Sequence, residues 1–162
     1  PAPCLLPDGA AFPGRLRGVE LELALRLGRD VPAGAALSLD DFDAALPVLA
    51  LVETRLSDWP AAPALLKLAD LGNHGALVLG APVPGPFPTL ASLDAELRFD
   101  GDVVAHTVGG STAGTLEHLL DGLSRRPGAR FRRGQVITTG ALTGLLFAPA
   151  GAQVSGTLKG IG

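Results

Sequence analysis

Two carboxylates separated by a single residue, Glu20 and Glu22, form the most chemically suggestive spacing in the sequence. In a β-strand, residues two apart point to the same side, and their Cα atoms lie roughly 6.7 Å apart. Two carboxylates at that distance can reach one hard divalent cation, because such ions prefer oxygen ligands. On an amphipathic strand the same pair is often only a solvated surface, so the surrounding residues must decide between the two interpretations.

The residues around this pair follow the period of a strand. Between 18 and 28, leucine occupies alternate positions that would face away from the two glutamates, namely Leu21, Leu23, Leu25 and Leu27. A helix would place Leu21 and Leu23 about 200° apart and would destroy this apolar stripe. The segment is therefore predicted to be a strand with one buried face and one carboxylate face.

Length and composition indicate one globular domain over residues 1–162, of mixed, mostly β structure with a few short helices. The chain is 47% hydrophobic and 18% charged, and no apolar run approaches the ~20 residues of a membrane span. Its 22 glycines and 14 prolines favour short elements joined by tight turns. The net charge of −3 and the short basic run at 130–133 argue against nucleic-acid binding. We expect no nucleic-acid partner and no membrane partner.

The single cysteine, Cys4, excludes an internal disulfide framework and is typical of the reducing cytoplasm. The first residues do not form a charged segment followed by an apolar one, as a signal peptide would. We therefore predict a cytoplasmic protein. Because the sequence starts at Pro1 and contains no methionine, we also expect that it lacks an N-terminal segment of a longer product.

The remaining chain divides into short elements. Residues 1–17 are predicted to be an irregular lead-in, and Ser38 with Asp41 resembles a capping box that predicts a helix over 38–46, ended by Pro47. Leucine spacing predicts a second helix that begins after Thr112 or Thr115. Strands are predicted over 48–56, 76–80, 93–99, 102–108, 135–139 and 153–158, with a hairpin turn at 100–101, one or two helical turns at 64–69 and a loop at 140–144.

Other polar residues could also take part in chemistry. Asp70 can cap the turn that follows it or orient a water, and His74 can contact a ligand or be a hydrogen-bonded structural histidine. Thr138, Thr139 and Gly140 form a predicted strand-to-loop turn. Its hydroxyls and amides can hold a carboxylate, and a tight structural turn is the equal alternative.

Four runs of the sequence resemble, in order and spacing, motifs of the fumarylacetoacetate hydrolase superfamily. They are most similar to its 2-hydroxypenta-2,4-dienoate hydratase and 4-oxalocrotonate decarboxylase branch. Each run is common alone, whereas all four in order are specific, and the resemblance covers about residues 15–162. The runs are GVELELA at 18–24, PVLALVETR at 47–55, ADLGNHG at 69–75 and GQVITTGALTG at 134–144.

The resemblance implies a fumarylacetoacetate hydrolase-like β-sandwich or roll, a bound Mg²⁺ or Mn²⁺, a small 2-oxo acid substrate that chelates the metal, and a homo-oligomer. Glu20 and Glu22 fall on the first two metal ligands of the family. Asp70 fits the family pattern, Asn73 stands where hydratases place a small hydroxyl residue, and His74 lies beside the same motif. We predict these last three residues as catalytic, and we predict Thr138, Thr139 and Gly140 as substrate-binding.

Three positions depart from the family pattern. Ala50 stands where the third carboxylate ligand is expected, Leu71 replaces an asparagine, and Asn73 replaces the hydroxyl residue. Glu53 cannot supply the missing carboxylate without a bulge, because on a strand it points to the face opposite that of Ala50.

Three functions are consistent with the sequence. The first is a divalent-metal-dependent hydratase or decarboxylase, a lyase that acts on a short 2-oxo acid such as 2-hydroxypenta-2,4-dienoate in aromatic-compound catabolism. The second is a non-catalytic relative whose metal site has decayed at Ala50 and which serves as a partner subunit or small-molecule binder. The third is an amphipathic β domain in which the motifs are coincidental.

Overall fold

Two β-sheets pack face to face around a core rich in leucine, as seen in a computed structural model that describes residues 5–111 and 114–161. Cys4 and the candidate helix cap Thr112 lie outside the described residues. The strands are β1 (Leu5–Pro7), β2 (Gly18–Leu27), β3 (Phe42–Val52), β4 (His74–Leu79), β5 (Asp94–Phe99), β6 (Asp102–Val108), β7 (Val136–Ala141), β8 (Leu146–Phe147) and β9 (Val154–Leu158), and the helices are α1 (Ala64–Ala69) and α2 (Leu116–Ser124).

The strand that carries the two glutamates lies inside the large sheet. The strand order of this sheet is β1-β4-β3-β2-β7, and β8 pairs with the start of β2. The smaller sheet has the order β6-β5-β9. Within the described residues the strand pairs are antiparallel except for β1 and β4, which run parallel. The fold is therefore mostly β, as the sequence predicts.

The leucine face of β2 forms the centre of the core. Leu21, Leu23, Leu25 and Leu27 are each at most 1% exposed and belong to the same cluster as the inward side chains of β5 and β9. The small sheet approaches this face most closely at Gly156. A Cβ atom there would lie 2.7 Å from Cδ1 of Leu21, so a glycine allows the two sheets to meet.

The predicted helix over 38–46 is wrong, because that segment is mostly strand. Only Leu39–Asp41 forms a 3₁₀ turn, and β3 begins directly after it. The capping contact is nevertheless made, since the Ser38 N–H donates to Asp41 Oδ2 over 2.8 Å. Pairing with β2 overrides the local helical pattern, because along the whole length of β3 it offers both hydrogen bonds and a buried face.

Pro47 lies inside β3 and does not end a helix. Its backbone faces β4, where the chain turns away from the regular ladder. The Gly80 N–H donates to the Pro47 carbonyl over 2.9 Å, and the next pairing is the bridge between Ala45 and Val83. The missing N–H of the proline therefore falls at an irregularity of the ladder, where a proline is tolerated.

Other boundaries differ only slightly from the predicted ones. The lead-in contains β1, β3 ends at Val52, and β7 continues into the predicted loop as far as Ala141. The helix over 64–69 and the hairpin of β5 and β6 are confirmed. Helix α2 begins at the predicted cap, because the Thr115 hydroxyl accepts the His118 N–H over 3.2 Å. No helix in the described part of the chain is long and apolar enough to cross a membrane.

Candidate functional site

Glu20 and Glu22 lie on the same face of β2, opposite the leucine core. Across the sheet, Glu20 is paired with Ala50 of β3, whereas Glu22 is paired with Val48 of β3 and Ala141 of β7. The surrounding face is apolar and forms a second buried cluster, made of Ala24, Leu46, Val48, Ala50 and Leu77. The two carboxylates are therefore held side by side in surroundings that hydrate them poorly.

This environment disfavours the charged form of both carboxyl groups. Burial raises the pKa of Glu22, which is 6% exposed, although hydrogen bonds from the Gly140 amide and the Thr138 hydroxyl partly oppose the shift. Burial, followed by the negative charge of Glu22, raises the pKa of the half-buried Glu20. Within the described residues no donor hydrogen-bonds to the Glu20 carboxylate. When both groups are ionised, neighbouring protein groups therefore balance their negative charge only in part.

A bulge in β7 positions the donor that reaches Glu22. Two residues of β7, Thr139 and Gly140, lie opposite the single residue Leu23 of β2. Gly140 has a φ of 95°, a left-handed conformation that glycine adopts without strain. The bulge directs the Gly140 N–H to Glu22 Oε2, 3.0 Å away, while the Thr139 hydroxyl donates to the Leu23 carbonyl over 2.9 Å.

The donors of the predicted substrate-binding turn are thus engaged by the protein itself. Thr138 and Gly140 orient a carboxylate of the site, and buried Thr139 fastens β7 to β2. Direct contact between this turn and a substrate stays a prediction. The sequence could indicate a turn here, but it carries no signal for a bulge at Gly140 and hence none for the hydrogen bond to Glu22.

Ala50 leaves the pair without a third carboxylate. Among residues 5–111 and 114–161, no group of three or more His, Cys, Asp or Glu side chains gathers at metal-binding distances. Glu53 is committed elsewhere, since its oxygens accept the N–H groups of Leu16 and Thr54 over 3.0 and 2.8 Å. Burial alone would raise the pKa of Glu53, but these backbone hydrogen bonds outweigh it and lower the pKa.

Asp70 is the centre of a hydrogen-bonded clamp between the end of β3 and the turn after α1. The Thr54 hydroxyl donates to Asp70 Oδ2 over 2.7 Å, and Arg55 Nε donates to Oδ1. The Thr54 hydrogen bond lowers the pKa of Asp70 most, burial opposes it, and the contacts with Arg55 lower it further. Asp70 is therefore an ionised carboxylate occupied by protein donors, which favours a positioning role.

Asn73 and His74 continue from this clamp into β4. The buried Asn73 amide donates to Asp70 Oδ2 over 3.3 Å, and Arg55 donates to the His74 carbonyl over 3.0 Å. His74 is paired with Val52, so the register places it on the same face as Glu20. From the spacing of strands and residues, their Cα atoms are roughly 12 Å apart. The structure thus places His74 on the carboxylate face, and a hydrogen bond joins Asp70 and Asn73 in the turn that precedes it.

The surroundings of His74 favour the neutral form of its imidazole. Burial lowers its pKa, and the nearby positive charge of Arg55 lowers it further. A neutral imidazole has one unprotonated nitrogen that can accept a proton. The sequence indicated Asp70 and His74 as candidates, but it did not reveal that Arg55 hydrogen-bonds to both of them.

Two surface cavities lie away from this face. One lies between Phe87, Leu90 and the first turn of α2, and the other lies beside Gly34 and the end of α2. Neither is lined by Glu20 or Glu22. The candidate site is therefore an apolar sheet face that carries two carboxylates, and not one of these cavities.

Solved structures share this architecture. A 4-oxalocrotonate decarboxylase from Pseudomonas putida G7 superposes with a TM-score of 0.78 over 98% of this chain, at 20% sequence identity. A maleylpyruvate hydrolase from Sphingobium sp. SYK-6 covers 99% of it with a TM-score of 0.67 at 18% identity, and a 2-hydroxyhepta-2,4-diene-1,7-dioate isomerase from Mycobacterium marinum covers 99% with 0.68 at 19%. The chain has the fumarylacetoacetate hydrolase-like fold.

These solved structures thus confirm the predicted fold. At sequence identities of 18–20%, the similarity to these structures shows the fold and not the reaction. No model of a known protein family matches the sequence. The chain spans 63% of the length of the decarboxylase, 57% of the hydrolase and 60% of the isomerase.

Proposed function

We propose that this protein is a divalent-metal-dependent enzyme of the fumarylacetoacetate hydrolase superfamily that acts on a short 2-oxo acid, with Glu20 and Glu22 as the metal ligands. One observation carries the proposal. Two carboxylates stand side by side on an apolar sheet face, and the pKa of each is raised. A divalent cation would balance this charge and favour the ionised form of both groups.

The residues present fit a hard cation. Glu20 and Glu22 offer carboxylate oxygens, the ligands that Mg²⁺ and Mn²⁺ prefer, and Mg²⁺ often binds one or two carboxylates and retains several waters. Gly140 and Thr138 hold Glu22 in place, as outer-shell donors do for ligating carboxylates. The Pseudomonas putida decarboxylase supports this assignment, because one of its structures is complexed with magnesium and adipate and another with calcium and acetate.

The cation, when bound, would polarise the 2-oxo group and stabilise negative charge that develops on its oxygen. His74 supplies the proton-transfer group in this proposal, because its neutral imidazole lies on the same sheet face and can accept or return a proton. Asp70 and Asn73 act by holding the turn from which His74 projects. Thr138, which lies beside Glu22, is the residue of its turn best placed to contact a substrate carboxylate.

The reaction that we favour is hydration of an unsaturated acid such as 2-hydroxypenta-2,4-dienoate, with decarboxylation as the alternative within the same class. The support is the resemblance of the four sequence runs to the hydratase and decarboxylase branch. On the same resemblance we propose a role in aromatic-compound catabolism, and the single cysteine supports a cytoplasmic location.

Metal and ligand binding can be tested together. Mg²⁺ with oxalate, a mimic of the enolate of a 2-oxo acid, should raise the melting temperature. In addition, Mg²⁺ should promote exchange of deuterium into the C3 position of a 2-oxo acid, which NMR can follow. The Glu20→Gln variant should lose both effects. A melting temperature that does not respond to Mg²⁺ in the unaltered protein would refute the metal site.

The second candidate is a non-catalytic relative, and Ala50 is the observation that favours it. In this candidate the loss of the third carboxylate has removed metal affinity, and the scaffold serves as a partner subunit or small-molecule binder. The exchange experiment separates the two functions, since only the enzyme catalyses deuterium uptake by a 2-oxo acid.

A further inference from the structure

Positive charge is concentrated in the segment that follows α2. Residues 125–133 read RRPGARFRR and contain five arginines and no acidic residue, although the whole chain has a net charge of −3. All five arginines are exposed. Within the described residues only one of them forms an ion pair, because Arg125 contacts Asp121 over 2.9 Å. We call the other four residues the arginine surface, which consists of Arg126, Arg130, Arg132 and Arg133.

The backbone of this segment is held against the rest of the fold. Phe131 is partly buried against the core, and it exchanges two backbone hydrogen bonds with Val31 over 2.8 and 3.1 Å. The Arg133 N–H donates to Asp30 Oδ1 over 2.8 Å. The exposed guanidinium groups therefore extend from a fixed backbone, which lowers the entropy cost of gathering them around one ligand.

A surface cavity of about 460 Å³ lies beside this segment. Residues 34–36 form one wall, and the end of α2 with the turn at 125–128 forms the other. Arg125 and Arg126 both line it, and among the described residues that line it none is aromatic. The Asp121 carboxylate also lines the cavity, and it is already paired with Arg125. The volume is that of a small-molecule site, since such sites measure roughly 300–1,000 Å³.

The arginines on either side of Phe131 lie near the same cavity. Val31 pairs with Phe131, and Gly34, which lines the cavity, is three residues further along the chain and at most about 10 Å away. At its other end this wall is fastened to α2, because the Leu37 N–H donates to the Ser124 hydroxyl oxygen over 2.7 Å. The two groups of arginines therefore flank one wall of the cavity.

We propose that this cavity and the arginine surface bind a small molecule that carries two or more phosphate groups. Guanidinium groups bind phosphate oxygens through paired N–H donors, and the arginine surface has no carboxylate partner within the described residues. A long polyanion is disfavoured, because the rest of this acidic chain would repel whatever extends beyond residues 125–133. Since the cavity offers no aromatic side chain to stack on a base, the phosphate groups are the part that is recognised.

Isothermal titration of the whole chain with inorganic tripolyphosphate, in buffer free of divalent metals, tests the proposal. We expect binding that weakens as the salt concentration rises, because dissolved ions screen exposed charges. Arg126→Gln should weaken binding on the order of tenfold. Arg126→Lys should weaken it less, because lysine keeps the charge and loses only the planar fork.

Two control variants separate this site from general charge and from the proposed metal site. Arg98→Gln removes an arginine on β5 whose side chain is 40% exposed, and it should leave the affinity for tripolyphosphate unchanged. Glu20→Gln removes a candidate metal ligand and should also leave this affinity unchanged. The inference goes beyond the proposed function and does not depend on metal binding. Loss of one site would therefore not imply loss of the other.

Four results would overturn the proposal. Tripolyphosphate at about 1 mM could fail to bind, or Arg126→Gln could bind it as tightly as the unaltered protein does. Tighter binding of citrate would show that the site prefers carboxylates. Tighter binding of polyglutamate or of a DNA duplex, lost in Arg126→Gln, would show that a long polyanion is the partner. Circular dichroism checks that each variant is folded, which is expected because the altered arginines are exposed.

Discussion

Glu20 on β2 lies directly opposite Ala50 on β3, so the residue paired with one candidate metal ligand carries no carboxylate. Cβ atoms of directly paired residues are about 5 Å apart, so a carboxylate at position 50 would point at the same space as Glu20. The methyl group of Ala50 leaves that space without a third acidic ligand. A glutamate at position 50 would supply that ligand.

Replacement of Ala50 by glutamate should create a stronger metal site at a cost to the metal-free protein. The added volume on a packed face costs about 1–3 kcal/mol, and the third negative charge costs more. Mg²⁺ should recover the loss, which calorimetric titration and melting with and without Mg²⁺ would show. Ala50→Gln adds nearly the same volume without the charge, so it should lose stability and gain no affinity. Equal Mg²⁺ affinity in Ala50→Glu and Ala50→Gln would contradict the geometry.

Mg²⁺ should stabilise the unaltered protein through both glutamates. At a concentration 100 times its dissociation constant, a bound ligand adds about 2.7 kcal/mol, or roughly 5–10 °C in melting temperature for a chain of this size. Glu22→Gln should abolish this gain. The Asp102→Asn variant, which alters an exposed carboxylate of the hairpin, is a matched control that should keep it.

The same pair should make the metal-free protein less stable as the pH rises. The native pKa of Glu20 and of Glu22 is raised above the unfolded value. The native state therefore binds more protons between the unfolded and native pKa values, and stability falls as the pH rises through that window. The cost is complete once the pH exceeds both native pKa values. Glu22→Gln, which retains an acceptor for the Gly140 amide, should flatten this decline in melting curves taken from pH 4 upward. A decline of the same slope in the variant would count against the raised pKa.

The Asp70 clamp should show the opposite pH dependence. Its pKa is lowered, so the stability it provides is present above the unfolded value near 3.8 and is lost as the pH falls through the native pKa. Asp70→Asn should lower the melting temperature at neutral pH and remove this acid-side loss. The exposed pair of Asp121 and Arg125 provides the control, because Asp121→Asn should change the melting temperature little.

The left-handed conformation of Gly140 should matter for metal binding as well as for stability. An alanine in this conformation costs about 1–3 kcal/mol, and relief of the strain would displace the amide that holds Glu22. Gly134 has a φ of 82° and lies outside the site, so Gly134→Ala should cost similar stability and leave Mg²⁺ affinity unchanged. If both variants bind Mg²⁺ as tightly as the unaltered protein, the bulge has no role in the site.

The sequence predicts this structure well where one period dominates and poorly where local and distant preferences compete. The alternating leucines of 21–27 identify β2 and its buried face without ambiguity, because only a strand groups them. The segment 38–46 has helical spacing and a formed capping contact, yet pairing with β2 makes it a strand. That outcome depends on residues about twenty positions earlier, which a local pattern cannot register.

In the candidate site, too, the sequence predicts the local features but not the contacts between distant residues. The spacing of Glu20 and Glu22 is a local property, and the structure has the expected shared face. The clamp that unites Thr54, Arg55 and Asp70 joins residues 15 or 16 positions apart, and the amide that reaches Glu22 is 118 positions away. Such contacts arise from the register of neighbouring strands. They become visible only once the strands are paired.

Trp59, over which Lys67 is folded, is the one tryptophan of the chain, and the chain contains no tyrosine. Intrinsic fluorescence excited at long ultraviolet wavelengths therefore reports on a single place beside α1. Its emission maximum and its quenching by iodide can follow the environment of that helix in real time, without an attached dye and in the presence of metal or substrate. The chain thus contains an intrinsic fluorescent probe beside helix α1.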